Sequence, residues 1–533
     1  MIDRILHNGK IITLDPQQPR VTALAIHRGE IVAVGDDAQI LALAGRGTIR
    51  ENLNERVLIP GLTDAHIHWE WTSKGLQSVN LFEVPSKEEA LRRVAERAAN
   101  TPAGAWITGW GWTQEAWEDR SFPTAADLDR AAPHHPVYLS AKSGHAGWAN
   151  SLALRLSGID RSTAHPEGGQ IVHDEQGEPS GLLLETAMGL VAKCIPPLSP
   201  ERLAEAMLQA QELALRSGLT GIHDFDNPSC LVALQILRER GQLGLRVVKQ
   251  INRDWLEPAI ASGLRSGFGD EWLRIGALKL FADGALGPRT AYMVDPYEGE
   301  PENRGISVLD KEEMLELVSR ASQHGLASTI HAIGDRAMRD VLDVFEQVRR
   351  DETKQGITPG QRRHRIEHVQ IIHPDDRNRL AELKIIASMQ PIHATSDYEM
   401  ATRYWGARSY WAYNARYQAD QGVVLAFGSD SPVEPFEPLK GIYAAVTRQR
   451  ADGTPGGGWY PELRLTVDEA LRGFTQGPAY AAGLEHRLGR LMPGYCADAV
   501  LLDRDLYAIE PETILETQVL GTIVGGEWRF GGA

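Results

Sequence analysis

Apolar runs of five to eight residues recur through the middle of the chain, separated by longer stretches whose apolar residues fall three and four apart. Short bounded runs suit buried strands and three-and-four spacing suits one face of a helix, so their alternation predicts βα units around a parallel sheet. The strands read in this way are Val57–Ala65, Thr220–Phe225, Leu245–Ile251, Ile275–Phe281, Ala327–His331, Arg363–Glu367, Ile385–Met389 and Val423–Phe427. Helices intervene, among them Glu201–Arg216, Lys311–His324 and Ala332–Arg349. Eight such strands close most simply into an α/β fold of the (β/α)8, TIM-like barrel type.

The chain ends follow another pattern. Ile5–His7 and Ile11–Leu14 flank Asn8-Gly9, and Ala23–His27 and Ile31–Val34 flank Arg28-Gly29. Asn-Gly between apolar runs is a strong hairpin signal, because both turn positions need positive φ. The style returns at Ala499–Leu502 and at Val519–Val524, which turns through Gly525-Gly526 into Glu527–Phe530. Residues 1–58 and 486–533 are therefore read as one small β-sandwich domain built from both ends, with residues 59–485 as the barrel. The first two barrel strands lie about 150 residues apart, too far for a structureless loop, so residues 70–215 are read as an inserted subdomain and its linking helix. Its strand-like runs are Trp106–Gly109 and Val137–Ala141.

A composition of 42% hydrophobic and 24% charged residues is that of an ordinary globular protein. The net charge of −16, with no long basic run, repels phosphate backbones and anionic bilayers. Nucleic acid and membrane are thus excluded as partners, and a small-molecule substrate is expected. Cys194, Cys230 and Cys496 lie far apart with no CxxC spacing, which argues against a disulfide framework or a cysteine zinc site and fits a reducing compartment. The opening MIDRILHNGKIITLD has no apolar core of a secretory signal, and no window approaches a membrane span, so a soluble cytoplasmic protein is expected.

The candidate chemistry sits where polar residues interrupt the apolar strands at the ends that form the mouth of a βα barrel. The first strand runs into His66 and His68, which share a face as residues i and i+2 of an extended chain. Lys279, His331, His368 and Asp430 occupy the same end of later strands. Each has a plain alternative: paired surface histidines, a snorkelling lysine, satisfied structural histidines and a helix-capping aspartate. Their joint placement makes a metal centre the stronger reading.

The segments PGLTDAHIH, His331, His368 and Gly428-Ser429-Asp430 resemble, in order and spacing, the ligand pattern of the amidohydrolase superfamily. Lys279-Leu280-Phe281-Ala282-Asp283-Gly284 and Ser143-Gly144-His145 followed by Trp148-Ala149-Asn150-Ser151 resemble its type 3 branch, which includes N-substituted formamide deformylases. The resemblance implies a divalent metal, with zinc expected, and two ions bridged by a carboxylated Lys279. His66 and His68 would hold one ion, completed by Asp430, and His331 and His368 the other. A protonated ammonium repels a cation, whereas a carbamate offers two anionic oxygens. The alternative is a one-ion site with unmodified Lys279 paired to Asp283. A homodimer is left open.

Hydrolysis of a carbon–nitrogen bond in an amide, N-substituted formamide or cyclic amide follows as the expected activity. Metal-bound water would be the nucleophile and Asp430 the catalytic proton carrier. An ester or lactone hydrolase, or a non-catalytic metal-binding scaffold or regulator, are the alternatives. For substrate binding the candidates are His145, Trp110, Asp283, Arg289 and His393, with His223 ambiguous. Trp106, Trp110, Trp112 and Trp117 form either an aromatic wall over the mouth or the core of the insertion.

Overall fold

At Gly61 the chain passes from one sheet into another. Val57–Pro60 belongs to a six-stranded sheet and Leu62–Ile67 to an eight-stranded one, so the single strand expected over Val57–Ala65 is in fact two. A Cβ at Gly61 would lie 2.4 Å from Thr220 Oγ1, which explains why glycine occupies the crossing. The structure is a computed structural model that describes residues 2–82, 84–114, 117–118, 120–141, 146–166 and 168–533.

The eight-stranded sheet pairs Leu62–Ile67, Leu219–Asp224, Arg246–Asn252, Leu273–Phe281, Ser328–Ala332, Arg365–His368, Ile386–Met389 and Leu425–Phe427 in chain order, each parallel to the next. Past the end of the eighth strand, Asp430 N–H donates to His66 O at 2.7 Å, and Ser429 donates from N–H and Oγ to the Asp64 carboxylate at 3.0 and 2.5 Å. These bonds join the last strand to the first in a (β/α)8 barrel.

The helices between strands form for ordinary reasons. Asp335–Lys354 buries Met338, Val341, Leu342, Phe345 and Val348 along one face, and these meet strand residues such as Ile330 and Ile366 in the main core. A fully buried side chain of that size stabilises by roughly 1.5–3 kcal/mol. Lys311–Gln323 starts where the Asp310 carboxylate accepts from Glu313 N–H at 2.9 Å.

The chain ends build a four-stranded and a six-stranded sheet, the latter including Ala499–Leu502, Val519–Val524 and Glu527–Gly531. Leu6, Leu24 and Ile31 from one sheet meet Ile11, Leu58, Leu501 and Ile523 from the other. Arg28-Gly29 and Gly525-Gly526 are two-residue turns with positive φ at both positions, 50° and 78° in one and 62° and 81° in the other. Asn8-Gly9 does not form the expected hairpin. Arg4–His7 and Lys10–Ile12 lie in different sheets, and Leu6 and Ile11 cover the sandwich core from opposite sides, which two strands of one sheet cannot do.

By contact density the chain forms two compact units, residues 1–71 with 207–533, and residues 72–206. The second unit carries its own six-stranded sheet, including Ile107–Trp112, Val137–Ala141, Ala146–Ala149 and Pro179–Glu185. Trp112, Trp117 and Trp148 pack in its core with ring centroids 6.0 to 6.4 Å apart. No helix among the described residues is long and apolar enough to cross a membrane.

Candidate metal centre

Strand ends deliver the donors. His66 lies in Leu62–Ile67, His368 ends Arg365–His368, and Asp430 follows Leu425–Phe427. One ligand atom from each of these three buried side chains lies within 4.8 Å of the others. His66 Nε2 is 3.4 Å and His68 Nε2 is 3.3 Å from the same Asp430 oxygen, Oδ1.

The three imidazoles are oriented from behind. His66 Nδ1 meets Glu367 Oε2 at 2.6 Å, His68 Nδ1 meets Asp226 Oδ1 at 2.9 Å, and His368 Nδ1 meets Gln390 Oε1 at 2.9 Å. Carboxylate and amide oxygens accept, so each Nδ1 carries a proton and Nε2 is the ring atom turned to the centre. This is the arrangement by which outer partners fix metal-binding histidines.

Burial is the largest influence on His66 and holds it down at about 4, so that it is neutral near pH 7. His368 is also pushed well below the imidazole range by burial. At His68 burial pulls the same way, but hydrogen bonds to Asp226 and Asp430 outweigh it and lift the ring to about 9. A cation at Nε2 would compete with that proton.

Glu367 is the hub behind His66. It also takes the Arg365 guanidinium at 2.6 Å and the Thr329 hydroxyl, inside the barrel. Burial disfavours its charge, but Arg365 and His66 outweigh burial and keep it well below the carboxylate range. Arg365 further reaches Ala65 O at 3.2 Å and His223 Nδ1 at 3.1 Å, which gives the ambiguous His223 a buried structural partner.

The backbone is strained at the site. His368, Val369 and Asp430 have φ of 74°, 45° and 61°. Left-handed geometry in a β-branched residue is costly and persists only where surrounding bonds impose it. The bonds at Asp430 are its own N–H to His66 O and His68 N–H to Ser431 O, at 2.7 and 2.9 Å.

His331 and Lys279 sit beside this cluster. The His331 ring is 4.5 Å from that of His368, and its Nε2–H donates to Gly284 O at 2.9 Å. Lys279 Nζ is buried over the faces of Phe225 and Phe281, 4.8 and 4.5 Å from the ring centroids, and burial lowers its amine to about 8. Among the described residues no ion pair joins Lys279 to Asp283, the pairing expected of a one-ion site.

The substrate-binding candidates scatter. His393 is buried against the centre, with Nε2 3.9 Å from Asp430 Oδ2 and its ring stacked 6.2 Å from His368. Asp283 differs from its expected place at the mouth. Its buried carboxylate accepts from Tyr292, Ile333 and Gly334 N–H at 2.8 to 3.0 Å, so it holds loops rather than presenting a charge. Arg289 is part-exposed, paired with Glu300 and stacked over Tyr404. Within the second unit Trp110 is exposed beside Phe82, while Trp112 and Trp117 fill the core. His145 lies outside the described residues.

Glu367, Asp226 and Gln390 escaped the sequence reading. They stand at the mouth ends of barrel strands six, two and seven respectively, so the rule that found the ligands would also have found them.

The sequence profile of the amidohydrolase family matches residues 51–530. The Arabidopsis thaliana protein LONG AFTER FAR-RED 3 is 34% identical over 544 aligned residues, covering 99% of this chain and 91% of that one. An N-substituted formamide deformylase of Arthrobacter pascens is 29% identical over 546, covering 99% and 98%. The crystal structure of an uncharacterized metal-dependent hydrolase from Pyrococcus furiosus superposes with a TM-score of 0.79 at 30% identity, covering 95% of this chain and 99% of that one.

Proposed function

The chain belongs to the amidohydrolase family, and on that premise we propose that it hydrolyses the carbon–nitrogen bond of a small amide, N-substituted formamide or cyclic amide. The observation that carries this reading is the convergence of His66 and His68 Nε2 on Asp430 Oδ1 at 3.4 and 3.3 Å, with each ring held from behind through Nδ1. Imidazoles and a carboxylate suit zinc and related divalent ions, so the donor set fits a metal that displaces the second proton of His68. His66, His68, His368 and Asp430 would hold the ion. A divalent ion at such a place lowers the pKa of water toward about 7 and polarises a carbonyl oxygen.

The remaining work falls to side chains. Asp430 takes a proton from the attacking water as its oxygen adds to the carbonyl carbon. As the carbon–nitrogen bond breaks, Asp430 returns that proton to the departing nitrogen. Gln370 Nε2 faces His393 Nδ1 at 3.4 Å, which leaves the His393 proton on Nε2, where no acceptor lies within hydrogen-bond distance among the described residues. In this reading that N–H donates to the substrate carbonyl oxygen once substrate opens the way to it. Phe281, part-exposed and 5.2 Å from the His331 ring, gives the site an apolar wall.

Lys279 fits a carbamate. Its amine is buried without a carboxylate in pairing range among the described residues, and at about 8 a fraction is neutral near pH 7. The neutral nitrogen adds to carbon dioxide and loses a proton, giving two anionic oxygens beside His331 for a second ion. The deformylase relative supports a formamide as the first substrate class to try.

The test is a panel of N-substituted formamides, other amides and matched esters with zinc-loaded protein, before and after chelation. Turnover of formamides or amides that disappears on chelation and returns with metal is expected. Turnover of esters alone would overturn the carbon–nitrogen assignment, and no turnover of any compound at full metal loading would overturn hydrolysis.

A further inference from the structure

A cavity of about 350 Å³ lies at the opposite end of the barrel from the metal centre, among the starts of the third to sixth strands. Its lining includes Arg274, Arg362, Arg363 and Arg365. Four arginines lining one cavity run against the net charge of −16, so the question is where their counter-charges are.

Two of them are matched. Arg365 is paired with Glu367 and Arg363 with Glu485. Arg274 and Arg362 have no carboxylate in pairing range among the described residues. Arg274 gives Nε–H to Gly267 O at 3.1 Å, and Arg362 gives Nη2–H to Ser322 O at 3.4 Å. Arg274 Nη1 and Arg362 Nε are closed off from solvent and have no acceptor among the described residues.

The nearby acidic groups are already engaged. Asp270 is held by Arg238 at 2.6 Å, Glu271 by Arg487 at 2.7 Å, and Glu352 by Arg349 at 2.8 Å and His364 at 2.9 Å. Burial lowers both Arg274 and Arg362 from the ordinary arginine value, and Arg265 adds a further positive charge beside Arg362. A guanidinium without a carboxylate partner presents a planar fork that matches an oxyanion.

We propose that this cavity at the base of the barrel is a binding site for a small oxyanion, a phosphate or carboxylate group, held by Arg274 and Arg362. The volume is ample for such a ligand and its immediate substituents. Binding sets a counter-charge beside two cavity-lining guanidinium groups that no carboxylate among the described residues reaches in pairing range.

Calorimetric titration of the metal-loaded protein with inorganic phosphate, and separately with succinate, tests the site and tells the two ligand sources apart. Saturable binding is expected for at least one of them, weakened tenfold or more by Arg274→Gln or Arg362→Gln and abolished in the double variant. Arg20→Gln, half-exposed and paired with Asp505, should leave it unchanged. Absence of saturable binding to either probe would overturn the proposal. So would binding of undiminished strength in the double variant, which would place the anion at the metal centre instead. If the variants do not fold, crystals of the unaltered protein soaked in selenate decide. An anomalous peak between Arg274 and Arg362 supports the site, and a cavity without one refutes it.

Discussion

Glu367 Oε2 and His66 Nδ1 share a hydrogen bond of 2.6 Å in which both side chains are fully buried. One carboxylate thereby sets the tautomer of a candidate ligand and neutralises Arg365 within the barrel.

Glu367→Gln should therefore loosen the metal before it loosens the fold. A drop in divalent-ion affinity of about 10- to 100-fold is expected, as for other outer partners of metal-binding histidines. Glu367→Ala should additionally cost about 3–5 kcal/mol, because it leaves the Arg365 charge buried and unpaired. Chelator competition measures the first and denaturant unfolding the second. Unaltered affinity in both variants would remove Glu367 from the site.

Asp430→Asn keeps the side chain's shape and takes away its ability to accept a proton. Turnover should fall by about 100- to 10 000-fold, the range of a positioned acid–base group, with little change in Tm. Wild-type turnover in this variant would show that another group carries the proton.

Acid should weaken the metal-free protein in a specific window. Burial holds His66 at about 4 and His331 at about 3, below the 6.5 of an ordinary imidazole. Between those values the unfolded chain binds protons that the folded one refuses. The stability tied to these rings is thus complete above about pH 6.5 and lost progressively as pH falls toward about 4. Calorimetry of chelator-treated protein should show Tm declining across this window, and less steeply in His331→Gln. Equal slopes would show that His331 takes its proton in the folded state.

If Lys279 becomes a carbamate, bicarbonate should speed the return of metal and activity to chelated protein above about pH 8, where the amine is neutral. Lys279→Met should abolish that dependence while keeping the fold, since it removes a buried charge. Reactivation indifferent to bicarbonate would favour a site with an unmodified amine.

Gly61→Ala should strain the crossing into the barrel, because the added carbon would lie 2.4 to 2.9 Å from three atoms of the Thr220 side chain. A loss of about 1–3 kcal/mol is expected, as for other overpacked positions. Thr220→Ala in the same chain should recover part of it, and purely additive losses would show that the two do not collide.

Much of this architecture was legible in the sequence where local chemistry and long-range packing agree. Arg28-Gly29 and Gly525-Gly526 make tight turns because both residues adopt positive φ and the flanking strands pair. Asn8-Gly9 carries an even stronger local signal, yet burying Leu6 and Ile11 from two sides of one core decides the outcome. The run from Val57 to Ala65 reads as continuous because both pieces are buried, and only the proximity of Thr220 marks the break. His66, His68, His368 and Asp430 could be singled out because charge at the end of an apolar strand is conspicuous. Asp283 has the same signature, but its oxygens turn to three backbone N–H groups, a distinction that depends on loop geometry with no trace in the pattern.

The bonds that tie Asp64 to Ser429 span 365 positions of chain. On the ribosome, His66 emerges early and waits for nearly the whole barrel to follow before Asp430 arrives beside it. On the proposed reading metal loading is then a late event of biogenesis, and a nascent chain or proteolytic fragment ending before the eighth strand lacks Asp430, the proposed proton carrier, and should be inert.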